Sequence, residues 1–475
     1  MTGTRTRLIA SILIAVPLAP IVASAAPHSP HIDGSTLPVP WVIPFAGMLL
    51  SIAIFPLAAP RVWHRHYGKI SLFWGLLFLT LFTVHFGIAT SAFYLLEVYL
   101  LEFLPFIVLL LALYTVSGGI HLKGTLPGTP AVNTLILLLG TFLASWMGTT
   151  GAAMLLVRPL ISANAWRARK THIIVFFIFL VANIGGSLTP LGDPPLFLGF
   201  LKGVSFFWTT RHLLMEMLVA AAILIAIFYA IDTLYYRREK MKPEKDPAGI
   251  SIAIVGKVNF MLLPGIAGAV LASSIDMGSA FTLHHVTMPL ATLVQVAALL
   301  LITVLSLIIT DKKVRESNEF TWEPIKEVAK LFAAIFITMV MPIAMLKAGA
   351  GGPLGAVIQS LVDADGNFIN ARFFWATGIL SSFLDNAPTY LVFFETAGGN
   401  AARLMTANSE TLVAISCGAV FMGANTYIGN APNFMVKSIA EERGVRMPSF
   451  FGYMLKYSIP VLIPVFIIIT LLFFI

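Results

Sequence analysis

The sequence predicts an all-α membrane protein of about ten transmembrane helices plus two re-entrant hairpins, arranged as an inverted repeat with broken helices. Three observations carry that expectation. The 475 residues are 58% hydrophobic and only 11% charged, with a mean hydropathy of +0.89, whereas a soluble domain carries roughly 25% charged residues. The Lys and Arg residues fall overwhelmingly on one side of the expected spans. A Thr-x-[Leu/Ile]-Gly-[Asp/Asn]-x-Pro motif occurs twice, each time inside an apolar run. This composition excludes a soluble enzyme and a disordered scaffold. The net charge of +8 marks membrane sides rather than a nucleic-acid surface. The single cysteine, Cys417, lies in an apolar run and excludes a disulfide framework.

Residues 1–26 read as a signal peptide: Arg5 and Arg7, an apolar run over Leu8–Val22, then Ala23-Ser24-Ala25-Ala26. Apolar runs follow near 40–60, 70–90, 99–119, 131–161, 172–203, 212–235, 258–275, 287–310, 328–346, 373–398, 411–436 and 450–475. The run 131–161 breaks at Gly148-Thr149-Thr150-Gly151, and 373–398 breaks at Asp385-Asn386-Ala387-Pro388. Runs 172–203 and 411–436 are interrupted by Gly, Pro and Asn. Unbroken backbone hydrogen bonding is nearly compulsory in lipid, so such breaks belong inside protein or beside a water-filled cavity.

The positive-inside rule orders these runs. With an extracytoplasmic mature N-terminus, and with 131–161 and 373–398 as hairpins returning to their own side, 23 of the 30 Lys and Arg face inward and five outward. The other two are in the signal peptide. Making either hairpin a full crossing swaps every later loop and destroys the bias.

Thr189-Pro190-Leu191-Gly192-Asp193-Pro194-Pro195-Leu196-Phe197 aligns with Thr426-Tyr427-Ile428-Gly429-Asn430-Ala431-Pro432-Asn433-Phe434. Upstream, Ala182-Asn183 resembles Ala424-Asn425 with five extra residues in the first copy. Each half then holds three spans, a hairpin, a broken span and a last span. The count of crossings is odd, so the second half is inverted. The expected division is 38–235 for the first half, 236–255 for a charged cytoplasmic linker and 256–475 for the second half. Inverted repeats with discontinuous helices meeting at mid-membrane point to secondary transport, not to an enzyme. No GxxxxGK[ST] phosphate loop is present to support ATP-driven pumping.

At Asn183-Ile184-Gly185-Gly186, at the two aligned motifs and at Asp385-Asn386-Ala387-Pro388, the chain resembles the ion transporter superfamily of secondary carriers. Within it the nearest likeness is to bacterial sodium:proton antiporters and citrate transporters. The resemblance implies a multi-pass protein of the bacterial inner membrane. It also implies a static scaffold that forms a homodimer and a moving part built from hairpins and broken helices. The tips differ: Asp-Asn stands only in the second, while the first reads Trp146-Met147-Gly148-Thr149-Thr150-Gly151.

Asp193 and Asp385, carboxylates at membrane depth, are the candidate sodium ligands. Asn183, Asn386, Asn425, Asn430 and Asn433, with Thr149, Thr150, Thr189 and Thr426, offer neutral oxygens and amides to complete such a site. No cofactor is expected; sodium and protons are the transported species. The expected activity is sodium/proton antiport. The alternative is cation-coupled transport of citrate or another organic or inorganic anion, with the hairpin tips as donors, although no Lys or Arg is expected in the broken core. Glu97, Glu102, Asp276 and Glu410 read as solvated anchors at outer helix ends, and Glu216 as a candidate proton relay. His284-His285 reads as an outer loop without a third metal ligand. The 348–372 segment reads as an outer turn.

Overall fold

The computed structural model describes residues 30–240 and 251–475. The signal peptide expected at 1–26 and most of the charged linker lie outside the described residues. Among the described residues, six helices are long and apolar enough to cross a membrane: Val39–Ala58, Pro60–Ser117, Pro130–Met147, Leu214–Arg237, Leu290–Ile309 and Phe450–Phe473. Glu323–Thr338 and Val340–Lys347, bent by 41°, add a seventh if taken as one span. The expected runs 70–90 and 99–119 are two parts of the 58-residue stretch Pro60–Ser117. At 1.5 Å per residue such a stretch measures about 87 Å, against a hydrocarbon core of about 30 Å. It bends at Gly87, whose φ of 82° and ψ of 165° no other residue adopts freely. A π-helical turn, Val98–Phe103, leads into its last part.

The fold is not purely helical. His121–Thr125 pairs antiparallel with Ser251–Val255, and Ser279–Leu283 pairs with Val286–Pro289. These ribbons are short extended segments between helices, where one strand satisfies the other's backbone groups. The first ribbon takes the last five residues of the expected linker and clips them to the first half.

Both hairpins are present as helix pairs. The first is Pro130–Met147 and Thr149–Ala163. Thr129 caps it through Oγ1, and the turn falls at Gly148, whose φ is 81°. The second is Asn370–Phe383 and Asn386–Thr396, with Asp385 capping the returning helix through a 3.0 Å bond from the Ala387 N–H. The first broken span runs Thr171–Leu180, irregular backbone, then Pro194–Leu201; the second runs Ser409–Met422, irregular backbone, then Ala431–Glu442. Each second half-helix has proline in its first turn, where the missing N–H costs nothing.

A fully buried polar network fixes the first hairpin to its neighbours. Asp232 of Leu214–Arg237 takes Arg167 at 2.5 Å, His172 Nε2 at 2.8 Å and Asn133 Nδ2 at 2.9 Å. Breaking a buried ion pair costs about 3–5 kcal/mol because it strands a charge, so hairpin base, broken span and last span are held as one body.

Candidate functional site

The two hairpin tips and the two irregular segments meet in the interior, and the same ties hold both pairs. Thr189 Oγ1 donates to the carbonyl of Ser145 and accepts from the Leu191 N–H at 3.2 Å. Thr426 Oγ1 donates to the carbonyl of Ser382 and accepts from the Ile428 N–H at 3.2 Å. Each threonine lies 44 residues after its serine, and the second set lies 237 residues after the first. The offset also relates two glycine pairs. A Cβ on Gly192 would sit 2.1 Å from the Gly186 carbonyl oxygen, and one on Gly429 would sit 2.6 Å from that of Gly423. Only glycine lets the backbone fold back so closely. The register is therefore continuous through the irregular segment, which corrects the expected pairing of Asn183 with Asn425. At this offset Asn183 falls opposite Val420, and the five-residue insertion disappears.

Within that symmetric frame the chemistry is unequal. Asp193, 2% exposed, ends the first irregular segment; Asn430 holds the equivalent place with a similar backbone. Asp193 Oδ1 accepts from Thr149 Oγ1 at 3.0 Å and from Asn430 Nδ2 at 2.9 Å, and Oδ2 accepts from Asn386 Nδ2 at 2.5 Å. Both hairpin tips and the second broken span thus converge on one carboxylate, and all three partners are neutral. The Thr149 N–H donates to the Gly192 carbonyl at 2.8 Å, fixing the first tip against the segment that presents Asp193.

The remaining expected residues lie at different distances from this point. Asn183 and Asn433 form the next layer: Asn183 Nδ2 donates to Asn433 Oδ1 at 2.7 Å, and Asn430 Nδ2 reaches Asn183 Oδ1 at 3.3 Å. Asn433 Nδ2 in turn holds the Gly423 and Thr426 carbonyls at 2.8 and 2.9 Å. Thr189 and Thr426 are not placed as ligands, because their hydroxyls are committed to the serine ties. Asn425 Nδ2 donates to Ser382 Oγ at 2.9 Å, while its buried Oδ1 has no partner. Asp385 and Thr150 line the same cavity as Asp193.

That cavity measures 570 Å³ and runs from the tips toward the end of the fold where basic residues concentrate. Six carboxylates line it: Asp193, Asp385, Glu319, Glu323, Glu327 and Glu442. Arg158 also lines it. Its side chain, 9% exposed, pairs through Nη2 with Glu319 at 3.1 Å, leaving Nε and Nη1 without partners. Arg158 follows Thr149 on one helix by nine residues, about 14 Å of rise. Its position in the sequence reads as a loop charge; only the burial of the whole hairpin turns it inward. Glu102 is corrected too: it stands in the π-helical turn and bonds Lys202 at 2.7 Å, rather than standing free at a helix end.

Among the described residues no group of three or more His, Cys, Asp or Glu is placed to hold a metal ion. His284 and His285 sit in the turn of the second ribbon, where His284 Nε2 lies 3.0 Å from the Ala89 carbonyl.

Residues 34–474 match the family described as "Putative citrate transport". The chain belongs to that family. That description makes transport the family's role, and the apolar helices make this one a multi-pass membrane protein. No curated protein matches the chain.

Proposed function

We propose that this family member exchanges sodium for protons by alternating access, with Asp193 and Asp385 as the ion-handling carboxylates. The observation that carries the reading is the shell of Asp193: a buried carboxylate held only by a hydroxyl and two amides, at the head of a cavity lined by six carboxylates. A buried carboxylate without a cationic partner must take up a proton or a metal cation. Either satisfies it, and the two compete for one place. Asn386 and Asn430 turn their amide N–H groups to the carboxylate. Rotation of either amide presents its oxygen instead, alongside the Thr149 hydroxyl, and an oxygen-rich shell suits a hard cation. The acidic cavity draws cations toward it.

In proteoliposomes, dye-monitored proton release on adding sodium should be lost in Asp193→Asn and in Asp385→Asn. Exchange retained in both variants would overturn the reading.

A second reading, cation-driven import of citrate or a similar anion, is favoured by the family description and by the two unpartnered guanidinium nitrogens of Arg158, Nε and Nη1. Sodium-dependent citrate uptake that falls in Arg158→Gln would establish it. We further propose a homodimer in the bacterial inner membrane, built on the spans expected at 40–60, 70–90, 258–275 and 287–310. Purified protein running solely as a monomer in mass photometry would exclude the dimer.

A further inference from the structure

Four charged side chains outside the cavity form a cluster that ion binding at Asp193 does not use. Lys202 Nζ lies 2.7 Å from Glu102 Oε1 and 4.0 Å from Glu395 Oε1, and Lys347 Nζ lies 4.0 Å from Glu395 Oε2. Lys202 is 20% exposed and Glu395 2%, and the second carboxylate oxygen of Glu395 has no hydrogen-bond donor. A carboxylate buried this deeply is held by the two ammonium groups alone.

The chain positions of these residues connect the cluster to the site. Asp193 caps the start of Pro194–Leu201 and Lys202 caps its end. Asn386, which bonds Asp193, begins Asn386–Thr396, and Glu395 stands in the last turn of that helix. The two half-helices pack so closely that a Cβ on Gly199 would sit 2.3 Å from the Tyr390 hydroxyl oxygen. They are joined at one end by Asp193 with Asn386 and at the other by Lys202 with Glu395. An eight-residue helix spans about 12 Å, so this pair is a short rod with the ion-binding carboxylate at one tip and an ammonium at the other. Glu102 belongs to the π-helical turn Val98–Phe103 and Lys347 to the end of Val340–Lys347, both outside the rod.

We propose that Lys202 is the latch that holds this rod against Glu102 while the cavity is open to the basic face, and that the Lys202–Glu102 contact parts when Asp193 turns to the other side. The charges make such a latch reversible. When the rod leaves, Lys202 exchanges Glu102 for Glu395, which travels with it, so no buried charge is stranded in the moving part. Glu102 stays behind in a position 22% exposed, where water replaces the lost ammonium. Lys202 is thus a positioning residue, acting on the site through a helix and not by touching the ion.

The inference rests on the reading of a carrier with alternating access, but not on its cargo. The test uses the full chain with Cys417→Ala and a reporter, Ser438→Cys, in the cavity lining. Labelling by a membrane-impermeant maleimide from the basic face reports how long the cavity stays open. Glu102→Gln and Lys202→Met should each cut the labelling rate, by up to about fivefold, the largest effect of losing a contact worth roughly 1 kcal/mol to one of two states. Lys202→Arg, which keeps the charge, should label at the reporter's own rate. Unchanged labelling in folded Glu102→Gln overturns the latch, whether or not Lys202→Met folds. Because labelling reports access and not flux, failure of the sodium/proton assay and failure of the latch are separate results.

Discussion

The two hairpin–broken-span pairs share a frame and differ in their chemistry. Ser145, Gly186, Thr189 and Gly192 recur as Ser382, Gly423, Thr426 and Gly429, all at one offset of 237 residues. These are the residues that let an irregular chain turn back on itself and tie down its buried polar groups. At the positions that face the crossing point, the same offset pairs Gly148 with Asp385, Thr149 with Asn386 and Asp193 with Asn430. The backbone problem is the same in both halves, so its solution is repeated. The charge problem is not: two opposed carboxylates at Asp193 and Asn430 would repel across 2.9 Å, and one amide at that place removes the repulsion while donating to the survivor.

The strongest way to break this comparison is to make the crossing point symmetric. Asp193→Asn places amides on both sides and should reduce sodium-dependent proton flux to that of empty liposomes. Adding Asn430→Asp moves the carboxylate to the other half by about 3 Å, one hydrogen-bond length, and should restore measurable exchange. A double variant as inert as the single would show that the halves differ in more than the placement of one charge.

The frame can be tested without touching the ion. Thr189→Val and Thr426→Val each remove a hydroxyl that donates to a buried carbonyl and accepts from a buried N–H. Each should cost about 1–3 kcal/mol, and the two losses should be alike, as thermal unfolding in detergent would show. A large loss in one half only would mean that the other tie is incidental.

This division also explains what the sequence made legible. Asp193, Asp385, Asn386, Thr149 and Asn430 stood out because Gly, Pro and Asp in an apolar run are costly, and such costs are tolerated only where they do something. The serines did not stand out. Ser145 and Ser382 lie in unbroken helix, where a hydroxyl usually bonds its own preceding turn. Ala-Asn occurs before both motifs, and that two-residue match suggests a register with an insertion where the structure keeps an unbroken count of 237. The ion clusters were beyond reach for another reason. Lys202 and Glu395 stand at helix ends and Glu102 in a π-helical turn far from both in sequence, and only packing brings them within ion-pair distance. Asp232, in the last two turns of an apolar span, is a charge of the same kind as Asp193, but its partner Arg167 lies 65 residues away. The small ribbons arise from loop segments whose strand character depends on meeting one another.

The smallest expected effect lies at the mouth of the cavity, where the two halves touch through Glu319. Arg158 of the first hairpin binds it at 3.1 Å and Arg443, just past the second broken span, at 2.9 Å. Burial alone would raise the Glu319 carboxyl, but Arg158 and then Arg443 outweigh it and hold it below the usual carboxylate range. A lowered native pKa means that the tie contributes above the ordinary carboxylate value of about 4.3, and is lost as pH falls through the lowered value. The Glu319 side chain is 50% exposed, so water and salt screen it, and its whole contribution should stay below about 1 kcal/mol. Glu319→Gln should therefore lower thermal stability slightly at pH 7 and not at all at strongly acid pH, with the difference shrinking as salt is added. A loss of several kcal/mol at pH 7 would instead mean that Arg158, with Nε and Nη1 already unpartnered, depends on this one carboxylate to be buried at all.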